Sequence, residues 1–158
     1  MRAIAALIAI VTTLFLVGCG TSAVVKSDYR QSQNEKLILR LNTPATASQE
    51  GAMILRERLN SQLSSNGLLA AVDDGSTKML EVNVTNYTMR HGAARAMLGI
   101  MAGSDTIQST VRIKDQANGS VLAEFAVESK NSTALGTSRG LIEEHADEIV
   151  ATLMGKKG

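Results

Sequence analysis

The chain has 158 residues, with 16 Lys and Arg against 15 Asp and Glu, a formal net charge of +1, one Cys and no Trp. So even a balance gives no long-range attraction to nucleic acid or to an anionic membrane face, and a single cysteine excludes an internal disulfide. Phe15, Tyr29, Tyr87 and Phe125 are the only aromatics, too few for a platform that stacks bases or sugars.

The first predicted element is a leader. Arg2 supplies a positive start, Ala3 to Val17 is apolar apart from Thr12 and Thr13, and small residues precede Cys19. The apolar run is shorter than the roughly 20 residues a membrane-spanning helix needs. Leu16-Val17-Gly18-Cys19 resembles the lipobox of bacterial lipoproteins, which implies cleavage between Gly18 and Cys19 and a diacylglycerol on the Cys19 thiol. Acyl burial contributes about 0.8 kcal/mol per CH₂, and one chain alone binds only marginally. The two or three chains of bacterial lipoproteins make attachment durable. Gly20 rather than Asp after the cysteine fits sorting to the outer membrane, facing the periplasm. Loss of residues 1–18 removes Arg2 and leaves 140 residues with fifteen charges of each sign, enough for one domain.

Residues 19–35 are polar and mixed in charge and are predicted to be a tether, with Val24-Val25 able to add a short edge strand. The domain proper is expected over 36–158. Lys36 to Leu41 alternates as a strand, with Leu37, Leu39 and Leu41 on one face. Pro44 suits a first helical turn, with Thr43 as its cap. The helix should run to Asn66-Gly67, its stripe formed by Ala52, Leu55, Leu59 and Leu63. Leu68 to Val72 is a short strand candidate before the turn Asp73-Asp74-Gly75.

Lys78 to Met89 is the longest predicted strand, with Leu80, Val82 and Val84 opposite Glu81, Asn83 and Thr85. Thr106 to Asp115 alternates likewise, through Ile107, Val111 and Ile113. Asn118-Gly119 signals a hairpin, and Val121, Ala123, Phe125 and Val127 form the inward face of the return strand. A last helix follows, with Leu141, Ile142, His145, Ala146, Ile149, Val150 and Leu153 on one side and Glu143, Glu144, Asp147 and Glu148 on the other. The sum is an α+β two-layer sandwich: a mainly antiparallel sheet of four to five strands under two amphipathic helices.

From Leu80 to Leu153 the chain resembles the bacterial lipoprotein domains of domain-of-unknown-function family 4410. The resemblance rests on Leu80-Glu81-Val82-Asn83-Val84, on Arg95, Leu98-Gly99 and Gly103, on the hairpin Val111 to Asp115 and Asn118 to Leu122, and on the glycine-led terminal helix. That family implies no active site.

Candidate chemistry is sparse. Gly136-Thr137-Ser138-Arg139-Gly140 matches G-x-S-x-G, but the one downstream histidine, His145, lies seven residues on in the same helix, where it cannot fold back onto Ser138. Capping of the helix explains the motif better. His91 and His145 are the only histidines and Cys19 is consumed by lipid, so neither metal nor cofactor is expected. The acidic residues Glu143, Glu144, Asp147 and Glu148 read as a solvated helix face. Gly92 to Gly103 is a long apolar connection between two strands, where a hairpin needs only a few residues. Either its side chains join the core, or Arg95, Met97, Leu98, Gly99, Ile100, Met101 and Gly103 form an interaction surface.

The expected function is a non-enzymatic binding or envelope-assembly module, held to the membrane through Cys19, with an envelope protein as partner and no nucleic acid. A carrier with a small-ligand or lipid pocket between sheet and helices is the alternative, and a hydrolase acting through Ser138 is the third.

Overall fold

The structure, a computed structural model, describes residues 20–26, 35–72, 77–90, 103–132 and 137–156. Among the described residues five strands form one sheet: β1 (Gly20–Val25), β2 (Leu37–Asn42), β3 (Lys78–Thr88), β4 (Asp105–Lys114) and β5 (Val121–Asn131). Their order is β1-β5-β4-β3-β2. Three of the four pairings are antiparallel; β2 and β3 run parallel. The parallel pair follows from the helix α1 (Gln49–Ser65) between them, since parallel neighbours need a crossover. The second helix, α2 (Ser138–Leu153), packs on α1 and against β5, β1 and β4. The α+β two-layer arrangement expected from the alternation is present.

The core lies where the sheet's inward face meets the two helices. Leu80, Val82, Ile107, Val111, Ile113, Phe125 and Val127 from the strands bury against Leu55, Leu59 and Leu63 of α1 and Ile142, Ala146 and Ile149 of α2. Each fully buried side chain of this size stabilises the fold by about 1.5–3 kcal/mol relative to exposure. In β3 the strict alternation breaks. A bulge between Val84 and Asn86 makes Thr85 an extra residue, so Tyr87 pairs with Ile107 and turns inward.

The first helix starts later than Pro44 suggested. Ser48 is its N-cap, accepting from the Gly51 amide at 3.0 Å, and Pro44 instead closes a turn in which its carbonyl accepts from Ala47. The predicted stop is in place: the amides of Asn66, Gly67 and Leu68 donate to Gln62, Ser64 and Leu63, with Gly67 at φ +68°. Past it, the short strand expected over 68–72 reduces to one bridge, Leu37 to Leu69, because Leu68 turns into the core while Val72 points to solvent. At the hairpin, Gly119 at φ +71° donates to the Asp115 carbonyl at 2.8 Å, and Asp115 and Asn118 carboxylate and amide oxygens accept from Ala117 and Ser120.

Gly51 of α1 lies directly against the Tyr87 side chain of β3. A Cβ there would stand 1.9 Å from the Tyr87 hydroxyl oxygen. Helical Gly→Ala changes usually gain about 1 kcal/mol; here overpacking should reverse the sign. Gly51→Ala is expected to cost about 1–3 kcal/mol in chemical denaturation, and a stabilised variant would contradict this packing.

The tether boundary needs revision. Gly20–Val25 is a six-residue strand, extending well beyond the Val24-Val25 option, and it pairs with β5 in unbroken register from Gly20–Lys130 to Val25–Phe125. Its small and β-branched residues satisfy an edge of β5 that would otherwise be open, and Thr21 and Ala23 line up with the buried face.

Away from the helices the sheet is polar. Register places Arg40, Glu81, Arg112 and Glu124 in one row across β2, β3, β4 and β5, with Lys26, just past β1, bonded beside Glu124, and Asn42 donates to Asn83 in the next row at 2.7 Å. Glu124 is bonded by Lys26 at 2.9 Å and Arg112 at 2.7 Å, and Glu81 by Lys114 at 2.6 Å. Hydrogen bonding from Lys114 holds the Glu81 carboxyl below its usual range, and bonds from Lys26 and then Arg112 do the same for Glu124.

Candidate functional site

Among the described residues, two polar groups of side chains are built into the apolar layer, each using inward positions of β4 or β5. The first centres on His145, fully buried on the apolar side of α2. Its Nε2 lies 2.8 Å from Ser109 Oγ of β4, and its Nδ1 lies 2.9 Å from Ser129 Oγ of β5. Thr21 of β1 donates to the same Ser129 oxygen at 2.9 Å. Burial pushes the imidazole down to about 3, so the ring is neutral, with one nitrogen donating and the other accepting. This chain of hydroxyls and imidazole joins β1, β5, α2 and β4.

The second group closes one end of the sheet. Arg90 follows β3, and its side chain is 4 % exposed against 0 % for Asp105 at the start of β4. The Asp105 Oδ1 accepts from the Arg90 Nε at 3.0 Å and from the Arg90 amide at 2.8 Å. The guanidinium also donates to the Gly103 carbonyl at 2.9 Å and to the Asn131 carbonyl at 3.1 Å. Both ends of the connection from 91 to 102 are thereby fixed to each other and to β5.

Of the expected interaction surface, only Gly103 lies among the described residues, at φ +86° with open space where a Cβ would stand. Arg95, Met97, Leu98, Gly99, Ile100 and Met101 lie outside them, as do His91, Gly18 and Cys19. Gly20, the residue after Cys19, opens β1.

Ser138 is the first residue of α2, and Thr137 is its N-cap, accepting from the Gly140 amide at 3.0 Å. Since both His145 nitrogens face Ser109 and Ser129 in the core, the G-x-S-x-G stretch acquires no histidine base from that residue. The acidic residues of α2 are mostly engaged. Asp147 takes a two-pronged contact from Arg58 of α1, both branches at 2.7 Å, with Gln62 at 2.8 Å, and Glu143 pairs with Arg139. No group of three or more His, Cys, Asp or Glu able to hold a metal occurs among the described residues. Between β1 and the end of α2 runs a groove of about 540 Å³, lined by Thr21, Ala23, Val25, Glu148, Thr152 and Lys156.

Sequence reasoning placed His145 on the apolar side of its helix but missed its partners. The signal was available: Ser109, Ser129 and Asp105 share the strand parity of Ile107, Val111 and Val127, so each polar side chain was bound to point inward. Arg90 carried no such signal, because it lies past the regular strand.

These features define a small sheet-and-helix module with a buried polar spine. The chain belongs to the family described as Domain of unknown function (DUF4410), which matches residues 25–136. The match begins earlier than the resemblance noted from Leu80 and ends before α2. No curated protein matches the sequence. Among solved structures, the PelC dodecamer from Paraburkholderia phytofirmans is similar at a TM-score of 0.64 and 12% identity, over 85% of this chain and 99% of that one. A substituted form of that dodecamer gives 0.64 and 11%, over 87% and 100%. Lipoprotein GNA1162 from Neisseria meningitidis gives 0.49 and 15%, over 77% and 99%. At these identities the PelC likenesses speak for the fold alone.

Proposed function

We propose that the chain is a bacterial envelope lipoprotein whose domain works by contact rather than catalysis, as an accessory module of envelope assembly. It is anchored at the outer membrane through Cys19 and faces the periplasm. The observation that carries this reading is the adjacency of the lipobox cysteine to Gly20 at the start of β1. An acyl anchor on Cys19 would leave no linker between lipid and sheet, so the domain would be held against the bilayer in a restricted orientation. The Thr21–Ser129–His145 chain of hydrogen bonds supports this by tying the anchored strand into the core. The binding role is supported by Ser138 and His145, which serve as helix start and core bridge. Dodecameric PelC proteins of the same fold support self-assembly as the form that contact takes.

The test is metabolic labelling with a fatty acid, followed by fractionation. The intact chain is expected to carry label and sediment with membranes. Cys19→Ala should lose all label. The same variant with residues 1–18 replaced by an ordinary secretory leader should appear in the soluble periplasmic fraction with an unchanged unfolding midpoint. An unlabelled intact chain would sink the reading.

A further inference from the structure

The outer edge of β1 is unusual for an exposed strand. Sheet edges are ordinarily guarded by Lys, Pro, a bulge or inward charge, because unpaired backbone groups invite another strand. Gly20–Val25 has none of these: it reads Gly-Thr-Ser-Ala-Val-Val, without a charge, a Pro or a register shift, and Val24 and Val25 are 64% and 58% exposed. The opposite edge is protected. There Leu37 is bridged by Leu68 to Ala70, and Arg40 projects from the middle of β2.

Among the described residues no strand pairs with the outer edge of β1, and the backbone groups on that edge can be assigned. The Lys26 amide donates to the Glu124 carbonyl at 3.0 Å, so residues of even number point their backbone groups at β5. Ladder alternation then directs the N–H and C=O of Thr21, Ala23 and Val25 outward. The side chains of those same three residues line the groove beside α2.

We infer that the partner of this edge is a second copy of the chain, joined as a two-fold dimer centred on Ala23. Antiparallel pairing of Ala23 with Ala23 of the other copy, and of Thr21 with Val25 at either side, uses every outward group of the strand in six hydrogen bonds. It also keeps inward residues opposite inward residues, as paired strands require. The groove selects this partner by charge. Glu148 lines the groove from α2 and Lys156 from just past its C-terminal end, with Thr152 between them in the chain. A two-fold axis at the seam sets the two helical walls antiparallel, so Glu148 of each copy faces Lys156 of the other. Val25, exposed in one copy, is covered by the wall of its mate. Gly20 of each copy then lies about 20 Å from its counterpart along the seam, at about 3.4 Å per residue, so both N-terminal ends of β1 can reach one bilayer surface with the seam lying along it. Tethering to a surface raises the effective concentration of one copy for the next.

This deepens the assembly reading by naming the partner, yet its test is independent of acylation. Full-length chain carrying Ala23→Cys is expressed in its own membranes, and disulfide dimers are read on non-reducing gels. Paired Cα atoms across such a seam fall within disulfide range, about 5.5 Å. Most of Ala23→Cys is expected as dimer, while Asn42→Cys on the far edge and the parent chain, with Cys19 alone, stay monomeric. In the second arm, Glu148→Lys should raise the dimer dissociation constant of the detergent-solubilised chain about tenfold, and adding Lys156→Glu should restore it. The dimer is overturned if Ala23→Cys stays monomeric in a folded protein, if Asn42→Cys bridges equally, or if charge reversal leaves the dissociation constant unmoved.

Discussion

Acidification from pH 7 to pH 5 is expected to remove about 2 kcal/mol of folding stability, and His145 is expected to carry that loss. The unfolded imidazole titrates near its ordinary 6.5, whereas burial holds the folded one at about 3. Between those values the unfolded chain binds a proton that the folded chain refuses. Stability therefore rises with pH through this window, is complete above about 6.5, and falls toward 3 by about 1.4 kcal/mol per unit. Glu81 and Glu124, held below the carboxylate range, add their own losses only at more acidic pH. Urea midpoints at pH 7 and pH 5 make the measurement. His145→Leu should be less stable than the parent at pH 7 by about 2–4 kcal/mol, since the Ser109 and Ser129 hydroxyls lose a buried partner. Its stability should also vary far less across the same interval. A parent with flat stability from pH 7 to pH 5 would contradict the neutral buried ring.

Removing Arg90 alone is expected to be the most damaging change to the sheet's far end. Arg90→Met leaves the fully buried Asp105 carboxylate without its cation, which typically costs about 3–5 kcal/mol. It also takes a donor from each of the Gly103 and Asn131 carbonyls. Asp105→Leu alone takes the carboxylate from the buried guanidinium. The double variant Arg90→Met/Asp105→Leu removes both charges together, so its loss should be well below the sum of the two singles. A double-mutant cycle by chemical denaturation reads this directly, and strict additivity would show that the two residues stabilise the fold separately.

Much of the architecture was legible because alternation and helical period are local signals. Leu80-Val82-Val84, Ile107-Val111-Ile113 and Ala123-Phe125-Val127 placed three strands, and the Leu55-Leu59-Leu63 stripe placed α1. Asn66-Gly67 marked its end through a positive φ that glycine accepts cheaply. What escaped depended on partners distant in sequence. Gly20 to Val25 has the composition of a linker, and only the vacant side of β5 makes it a strand. The inward turn of Tyr87 follows from one extra residue at Thr85, which alternation alone does not reveal. Ser48 took the cap from Thr43 because Pro44 was used in a turn before the helix. At the site, the isolation of His145 from Ser138 was foreseeable from a seven-residue spacing on one helix. Its clasp between Ser109 and Ser129 needed the register of β4 on β5.

The charged row over the outer face of the sheet has a geometric property of its own. From Lys26 through Glu124, Arg112 and Glu81 to Arg40 its signs run plus, minus, plus, minus, plus, the same in either direction. It is a palindrome. Two such faces stacked row on row meet like with like, whichever way one is rotated in plane, and like-charge juxtaposition costs several kcal/mol. Relief requires a slip of one strand, which leaves a charge at each margin without a mate. The broad face of the sheet thus carries an electrostatic veto on stacking against its own copy, whereas Gly20–Val25 at the β1 rim holds no charge.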